Sequence, residues 1–298
     1  MDASYPGKLR IWEGGTPAEA QDPFVPDIGH SLAGPHKLAR FADSLYAQEA
    51  LNPAVASSGR GEGAEPYSLQ WFLNVEHQRY RRPGRWIPRL LEFAKHSGET
   101  MLGLGNGLGT DWVQYARHGA RVVVCCPSRD QLALIRRNFE LRGLSGRFLH
   151  SVMSALPLES ATIDVVCLSD LDRELEDPMP TIAEIYRVLK PGGKVLAVMP
   201  ARFNIGFWVR LGIPWQRWLT ARSRVEPTPS QRFSRRNLRQ LFSRFVDARV
   251  QKRHLHRSEV PHLWRWIPMS LLERSMGNVL LYKAFKPLSA AKAIQEAA

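Results

Sequence analysis

A short apolar run that breaks into glycines is the feature that most constrains the fold of this chain. The run extends from Thr100 to Asp111, TMLGLGNGLGTD, and its turn holds Gly105, Gly107 and Gly109. A strand that leads through such a turn into a helix lets backbone N–H groups approach a ligand closely, with the positive end of the helix dipole directed at it. The sequence therefore predicts a binding site in this stretch.

The spacing of these glycines argues against a dinucleotide site. A dinucleotide fingerprint needs G-x-G-x-x-G, and no glycine of the run has another glycine five residues after it in that pattern. The pattern here is G-x-G-x-G. A purely structural turn after a strand is the alternative interpretation of the same residues.

Strand and helix patterns alternate regularly on both sides of the turn. Continuous apolar runs typical of buried parallel strands lie at Arg121–Cys126, Ile163–Leu168 and Lys194–Met199, with helical spacing of apolar residues between them. This alternation predicts an α/β fold with a doubly wound sheet, in which ligands bind at the carboxyl ends of the strands. Two later strand patterns, Ala248–Leu255 and Asn278–Lys286, predict an antiparallel hairpin that closes the sheet.

Local signals bound several of these elements. Ser128, with Gln131 three residues later, predicts a capping box at a helix start, and Ser234 predicts another helix cap. Gly119 suits a helix C-cap. The segment 190–193, Lys-Pro-Gly-Gly, has proline and glycine where a type II turn needs them.

Composition excludes several classes of protein. The chain of 298 residues is 44% hydrophobic, which is enough to bury a large core, yet no apolar run approaches the roughly 20 residues that cross a bilayer. No basic segment followed by an apolar core opens the sequence, so we expect a cytoplasmic protein. Three cysteines (Cys125, Cys126 and Cys167) are too few for a disulfide framework and match no zinc signature, so no metal is expected.

The positive charge is concentrated in one segment. The net charge is +13, and residues 201–257 hold fourteen basic residues against Glu226 and Asp247, which is +12. Tryptophan and arginine alternate within this segment at roughly helical spacing, which fits an anionic membrane surface meeting Phe203–Arg257. Nucleic acid is a second possible partner, and a solvated face with ordinary core aromatics is the third interpretation.

The remaining segments divide the chain as follows. Residues 1–60, rich in Gly, Pro, Ala and Ser, predict a disordered extension. Residues 61–95 turn aromatic and basic and predict a helical lid over the glycine turn, although a helix on the sheet edge without ligand contact fits equally. Residues 201–233 form a basic aromatic insertion, and 288–298 a frayed tail.

Three further runs carry a resemblance to a known family. After the glycine turn come LPLESATIDVV (156–166), AEIYRVLKPGGKVLAVMP (183–200) and SLLERSMGNVLLYKAFKP (270–287). In this order they resemble the class I methyltransferases that use S-adenosylmethionine (SAM), specifically the group of type 11 domains. The resemblance implies a Rossmann-like, seven-stranded sheet with the last strand antiparallel over residues 96–287, and SAM as the cofactor.

The same resemblance implies a set of cofactor-binding positions. The family's anchoring acids are replaced at three of them, by Gly103, Cys126 and Val152. Because a hydrogen bond to a charged group is worth about 1.5–3 kcal/mol, losing the ribose carboxylate alone weakens binding by roughly 10- to 100-fold. Asp111 or Asp130 offers compensation from a helix's first turn, although Asp111 also suits its own helix N-terminus. The implied positions are Gly103, Gly105, Asn106, Gly107, Gly109, Cys126, Pro127, Val152, Met153 and Ser169.

Methyl transfer from SAM requires few catalytic side chains, because the sulfonium is already reactive. The protein must hold the nucleophile and the methyl group in line, exclude water and sometimes remove a proton. Asp170 and Asp172, just past the fourth strand, are the candidate bases, and a solvated helix start is the other interpretation of them. The sequence thus predicts a SAM-dependent methyltransferase acting on a hydrophobic or anionic small molecule. The alternative is an inactive protein of the same fold that serves as a binding or scaffold module at a membrane surface.

Overall fold

The computed structural model of this chain describes residues 64–81, 84–105, 107–169, 177–212, 233–255, 257 and 260–288. For residues 209–212 and 263 it describes the backbone alone. The predicted extension 1–60, most of the insertion 201–233 and nearly all of the tail 288–298 lie outside the described residues. Three predicted site residues, Asn106, Asp170 and Asp172, lie outside them as well.

One seven-stranded sheet organises the described chain, with the strand order β3-β2-β1-β4-β5-β7-β6. The neighbouring pairs from β3 to β5 are parallel, whereas β7 is antiparallel to both β5 and β6. The predicted doubly wound sheet with an antiparallel last strand is therefore confirmed. The strands are β1 (Thr100–Gly105), β2 (Arg121–Cys126), β3 (Arg147–His150), β4 (Ile163–Ser169), β5 (Leu189–Pro200), β6 (Val246–Arg253) and β7 (Val279–Phe285).

Helices precede the sheet and lie between most of its strands. The side chain of Ser128 accepts a hydrogen bond from the backbone N–H of Gln131, which is one half of the predicted capping box. The side chain of Gln131 bonds Gly107 and Cys126 instead of returning to Ser128, so the other half is not formed. Ser234 caps its helix through Asn237, as predicted. The two serine caps satisfy backbone donors that the first turn of a helix leaves unpaired. The α-helices of the described residues are α1 (Leu69–Tyr80), α2 (Ile87–Leu90), α3 (Thr110–Arg117), α4 (Arg129–Glu140), α5 (Met179–Val188), α6 (Ile205–Gly212), α7 (Arg235–Leu241) and α8 (Met269–Met276).

The inner strands of the sheet are buried on both faces, which explains their continuous apolar runs. In β4, Val166 and Leu168 point into the core cluster on one face, whereas Val165 and Cys167 belong to the cluster on the other. Successive side chains of a strand point to opposite faces, so only an uninterrupted apolar run can fill both clusters. Large aromatic residues complete them, with Trp112 and Phe139 on one face and Phe242 and Tyr282 on the other.

The predicted turn at residues 190–193 lies inside a longer strand. Gly192 has a φ of +78°, as the third position of a type II turn requires. Strand pairing nevertheless begins at Leu189, opposite Ile163, and the register shifts before Lys194 pairs with Val165. The strand is therefore longer than the predicted Lys194–Met199, because β4 and β7 supply hydrogen-bond partners on both sides of the turn.

A half-buried carboxylate connects the segment before the sheet to two of its strands. Glu92, at the end of the segment that contains α1 and α2, accepts hydrogen bonds from Lys194 of β5 at 2.6 Å and Lys283 of β7 at 2.7 Å. Lys95 adds a third at 3.1 Å. Burial would raise the pKa of Glu92, but these three lysines outweigh burial and hold its pKa at about 2.

A small satellite core lies beside the main sheet. Ile205 of α6 and Leu272 of α8 are buried together with Leu255 and Val260. Partly buried aromatic and aliphatic residues, among them Trp264, pack against this cluster. The name cap is used below for residues 202–208 and 260–276, which this core joins into one unit.

Candidate functional site

The glycine loop, residues 105–109, lies where the carboxyl ends of two neighbouring strands meet. Gly105 at the end of β1 pairs with Ser169 at the end of β4. Gly105 has a φ of +122°, and a Cβ built on it would lie 1.7 Å from the backbone oxygen of Ser169. Since no side chain fits there, glycine is required for the chain to turn at this point.

The far end of the loop also requires glycine. Gly109 precedes α3 with a φ of +70°, and a Cβ on it would lie 2.7 Å from Cγ2 of Ile135 in α4. The left-handed conformation and the close neighbour both favour glycine. The loop is thus pressed against β4 at one end and against α4 at the other.

Two buried amides of α4 fix the conformation of the loop. Gln131 donates from Nε2 to the carbonyl oxygen of Gly107 at 2.9 Å, and Asn138 donates from Nδ2 to that of Leu108 at the same distance. Both amide side chains are buried. Because the loop has few side chains of its own, these bonds from a neighbouring helix determine where its backbone lies.

Gly103, where the resembled family has an acid, makes room for an aromatic ring. A Cβ on Gly103 would lie 2.6 Å from the ring of Trp112, which is only 1% exposed. Trp112 is in α3, directly after the glycine loop, and its ring covers the strand at this position. The absent carboxylate is therefore accompanied by a large apolar group packed on the same backbone, and a ligand contact by Gly103 stays a prediction.

Cys126, at the second position that lacks its acid, is turned into the interior. Its thiol donates to Oε1 of Gln131 at 3.4 Å, and the residue has no exposed surface. Gln131 therefore links the end of β2 to the glycine loop through its two amide atoms. The role of Cys126 at a ribose stays a prediction, as does that of the half-buried Pro127 beside it.

The residues after β3 differ in exposure. Val152, at the third position that lacks its acid, is 56% exposed, whereas the neighbouring Met153 is buried. An exposed valine offers apolar surface but no hydrogen bond, so selectivity for one base is not provided by this side chain. The predicted contact of both residues with a ligand is not tested by this geometry.

A buried cluster of charged and polar groups lies immediately beyond the loop. Arg79 of α1 donates from Nε to Oδ1 of Asp111 at 2.7 Å and from Nη2 to Oδ2. Tyr80 donates its hydroxyl to Oδ1 at 3.0 Å, and Ser169 donates its hydroxyl to Oδ2 at 3.2 Å. These four residues, named the Asp111 cluster below, join α1, α3 and β4 at the carboxyl edge of the sheet.

The Asp111 cluster corrects part of one interpretation of the sequence. Asp111 lies in the first turn of its own helix, which an acid suits, but it does not cap that helix, because α3 has no side-chain cap at its start, where Gly109 stands. The carboxylate is instead engaged by a bidentate guanidinium, which forms stronger hydrogen bonds than a backbone N–H does. Sequence reasoning missed Arg79 because 32 residues separate it from Asp111 and no local pattern connects them.

The electrostatics of this cluster keep its hydroxyl groups protonated. Burial raises the pKa of Tyr80 well above its usual value, and the negative charge of Asp111 raises it further. Tyr80 is therefore a hydrogen-bond donor throughout the physiological range. Cys167, two residues before Ser169 in β4 and paired with Gly103, has its pKa raised to about 12, chiefly by burial.

The segment predicted to form a lid contacts both helices that flank the glycine loop. The C-terminal end of α1 contacts the first residues of α3, since the Tyr80 hydroxyl also lies 3.3 Å from the carbonyl oxygen of Thr110. Arg137 of α4 reaches the carbonyl oxygen of Tyr67, just before α1, at 3.0 Å. Helix α1 thus adjoins the glycine loop, and a role in covering a ligand stays a proposal.

Two kinds of site are not found in the described part of the chain. No group of three or more His, Cys, Asp or Glu side chains there is arranged to hold a metal ion. None of the helices described has the length and apolar character that crossing a bilayer requires. A hollow of about 220 Å³ between His96, Asp164 and Lys194 lies at the amino ends of β4 and β5, at the opposite edge from the glycine loop.

Comparisons with known proteins agree with this architecture. Residues 101–197 match the family described as a methyltransferase domain, which confirms the predicted resemblance. A demethylmenaquinone methyltransferase of Thermobifida fusca is 33% identical over 158 residues, which are 49% of this chain and 64% of that protein. A ubiquinone biosynthesis O-methyltransferase of Methylocella silvestris is 27% identical over 174 residues, 53% of this chain and 66% of that protein. The matched part thus spans less than two thirds of either relative.

A solved structure has the same fold. A methyltransferase in complex with the Trm112 methyltransferase activator of Haloferax volcanii superimposes with a TM-score of 0.50 at 18% identity. The alignment covers 76% of this chain and 100% of that one. This chain therefore shares the fold of that structure. In a doubly wound sheet, ligands are expected at the carboxyl ends of the strands, which is the edge at which the glycine loop lies.

Proposed function

We propose that this chain, which carries a methyltransferase domain over residues 101–197, is an enzyme that transfers the methyl group of SAM to a small apolar acceptor. The observation that carries the proposal is the glycine loop, whose two ends admit no side chain and whose backbone is fixed by α4. A loop held in this way within a methyltransferase domain is suited to bind a ligand through its main chain. The comparisons give no support to the alternative of an inactive scaffold.

Among the described residues, backbone groups of the glycine loop are suited to bind SAM, whereas the carboxylate side chains that usually bind it are missing. Gly105, Gly107 and Gly109 would receive the ligand, with Ser169 and the Asp111 cluster at one end. Cys126 and Val152 offer no carboxylate at the other end, so we expect binding about 10- to 100-fold weaker than with a ribose carboxylate. When bound, SAM supplies an electrophilic methyl group on a sulfonium.

The protein would then accelerate the transfer mainly by holding the two reaction partners in position. The loop and the Asp111 cluster fix one partner of the reaction, and aligning two partners accounts for a large part of the rate enhancement of such a transfer. Tyr80 and Ser169 are donors that both face the Asp111 carboxylate, so neither acts as a base in this arrangement. Asp170 and Asp172 remain the proposed bases for an acceptor that must lose a proton.

The relatives suggest the class of acceptor. The Thermobifida protein is a demethylmenaquinone methyltransferase and the Methylocella protein acts in ubiquinone biosynthesis, so we propose a prenylated quinol or phenol. An anionic membrane surface, predicted for residues 203–257, belongs to the same proposal because such an acceptor is itself a lipid. The protein would then work in the cytoplasm at the membrane surface.

The first test is a titration of the full chain with S-adenosylhomocysteine and SAM. We expect saturable heat in the range of tens of micromolar to millimolar, and its loss in Gly105→Ala, because the added methyl collides with the Ser169 backbone. Gly143→Ala is the matched control, since Gly143 also has a positive φ, +63°, but has nothing within 4 Å of the added atom. That variant should bind like the unmodified chain.

The second part of the test measures transfer. Tritiated SAM is incubated with the chain and either a demethylated naphthoquinol or a hydroxylated polyprenyl phenol, and extracted lipid is counted. Label in either lipid supports the enzyme, and the choice between them identifies the ring. Absence of heat with both SAM and S-adenosylhomocysteine at millimolar concentration would contradict the proposal.

A further inference from the structure

The cap carries large apolar side chains that no part of the described chain covers. Trp266 is 82% exposed and Leu271 is 58% exposed, while Phe203 and Phe207 are 39% and 36% exposed. Single exposed apolar residues are normal on a protein surface, but several on one small unit indicate an interaction site.

Contacts show that the two parts of the cap adjoin. Lys252 of β6 donates from Nζ to the carbonyl oxygens of both Phe203 and Ser275, the latter at 2.6 Å. Leu272 is buried in the satellite core, whereas the adjacent Leu271 is exposed. Helix α8 therefore has one face on the cap's own core and another that the described residues leave exposed.

The charge around these residues is positive. The cap sequence contains Arg202, Arg265 and Arg274, and its one acid, Glu273, is paired with Arg253 at 3.3 Å. Two arginines from outside the cap lie against it, since Arg235 donates to the carbonyl oxygen of Arg274 at 3.2 Å and Arg257 to that of Arg265 at 3.0 Å. The segments that carry the exposed apolar side chains therefore also carry or contact arginines, and the guanidinium of Arg202 lies 5.7 Å from the ring centre of Phe203.

The cap lies at the same edge of the sheet as the glycine loop. It follows the end of β5 at Pro200 and precedes β7, whose Val279 pairs with Pro200. Ser169 at the end of β4 lies on the same side, because it pairs with Val198 of β5. A partner that binds the cap therefore lies next to the carboxyl edge of the sheet, where SAM and the acceptor are proposed to bind.

We propose that the cap docks on a membrane that contains anionic lipid, with Trp266 and Leu271 inserted at the level of the headgroups and the arginines paired with phosphates. Apolar anchors and basic residues together provide the two signals that stable attachment to a bilayer surface needs. This proposal deepens the proposed function, which already includes a membrane surface, by naming the residues that attach the chain to it. Docking itself does not require SAM, and only the delivery of a lipid acceptor to this edge of the sheet rests on the proposed function.

The experiment is flotation of the full chain with vesicles, without SAM or acceptor. We expect binding to phosphatidylcholine vesicles that contain roughly one third phosphatidylglycerol, little binding to phosphatidylcholine alone, and release by about 0.5 M salt because the Debye length shrinks. Tryptophan emission should shift to shorter wavelength on binding. The double variant Trp266→Ser with Leu271→Ser should bind at least about tenfold more weakly.

Matched variants separate the two contributions. Arg202→Gln with Arg274→Gln should lower binding to anionic vesicles by about 25-fold, since each basic residue near such a surface contributes about fivefold. Leu141→Ser, at an exposed leucine on another surface at the end of α4, should leave binding unchanged. Circular dichroism checks that all variants fold.

Several outcomes would overturn the docking proposal. Equal flotation of the Trp266 and Leu271 variant, equal binding to neutral vesicles, or an effect of Leu141→Ser of the same size would each do so. Salt-sensitive binding of single-stranded RNA with no vesicle binding would assign the basic surface to nucleic acid instead. Because vesicle binding is measured without SAM, failure of the SAM titration leaves its result unaffected.

Discussion

Gly103 and Trp112 pack so closely that each restricts the residue type at the other position. A Cβ on residue 103 would lie 2.6 Å from the ring of Trp112, so the ring can take this position only because residue 103 has no side chain. The sequence shows that the usual acid is missing at position 103. It does not show what fills the space, because Trp112 lies nine residues later in a helix whose packing depends on the tertiary structure.

A double-mutant cycle tests this pair. Gly103→Ala should lower the free energy of unfolding by about 1–3 kcal/mol through overpacking, and Trp112→Leu should lower it by about 2–4 kcal/mol through a cavity. The combined variant should lose at least about 1 kcal/mol less than the sum, measured by urea unfolding. Gly206→Ala with Trp112→Leu is the control, because the atom nearest to a Cβ on Gly206 is 3.5 Å away. Additivity of the first pair would contradict the interpretation.

Among the elements, α1 is attached to the rest of the protein by charge more than by apolar contact. Few of its residues are buried, namely Phe72, Val75 and Arg79, and the last of these is ion-paired with Asp111. A helix in this segment was predicted from sequence, and a position next to the glycine turn was one of two interpretations. The ion pair of Arg79 with Asp111 that attaches the helix was not predicted, because an ion pair between residues far apart in sequence leaves no pattern in either segment.

The attachment of α1 leads to a prediction. Arg79→Met should destabilise the protein by about 3–5 kcal/mol, because it leaves the Asp111 carboxylate buried without its guanidinium. Hydrogen exchange should show that amides of residues 69–80 lose protection before those of the sheet. Arg137→Met removes an exposed bond to the same segment and should have an effect below about 1 kcal/mol.

Two results would contradict this view of α1. One is equal destabilisation by Arg79→Met and Arg137→Met. The other is uniform loss of protection across helix and sheet, which would mean that α1 does not unfold separately. The variant Arg79→Met with Asp111→Asn should recover part of the lost stability, because the buried carboxylate then becomes neutral.

At the scale of the whole molecule, Glu92 connects parts of the chain that are far apart in sequence. Its three lysine partners belong to its own segment, to β5 and to β7. Because the pKa of Glu92 is lowered from 4.5 to about 2, its charged form stabilises the folded state above about pH 4.5. That contribution, at most about 3 kcal/mol, is lost as the pH falls through about 2.

This linkage can be measured with Glu92→Gln. The variant should be less stable than the unmodified chain at pH 6, and the difference should shrink steadily between pH 5 and pH 2 as the carboxyl of the unmodified protein and its unfolded chain become protonated. Chemical unfolding at several pH values gives the two curves. Glu184→Gln, which breaks a more exposed pair with Arg187, should change stability by less than about 1 kcal/mol. A difference that does not vary with pH would contradict the assignment.

The fold was largely predictable and the site only in part, for a physical reason. Apolar periodicity and turn residues are local signals, and they were sufficient for the strands and most helices, while the number of strands and the antiparallel last strand came from the resemblance. The glycine loop was found because its constraint is on the backbone. Interactions between distant side chains, such as those of Asp111 and Glu92, depend on the completed fold and leave no local pattern.

The position of β7 has a consequence for how the protein is made. It is the last strand of the described chain to leave the ribosome, yet it belongs between β5 and β6, which are already synthesised by then. Until it arrives, both of those strands expose unpaired edges, which are prone to join other chains. A message truncated before codon 279 would therefore yield an aggregation-prone polypeptide, and a nascent chain stalled there is where a chaperone is most needed.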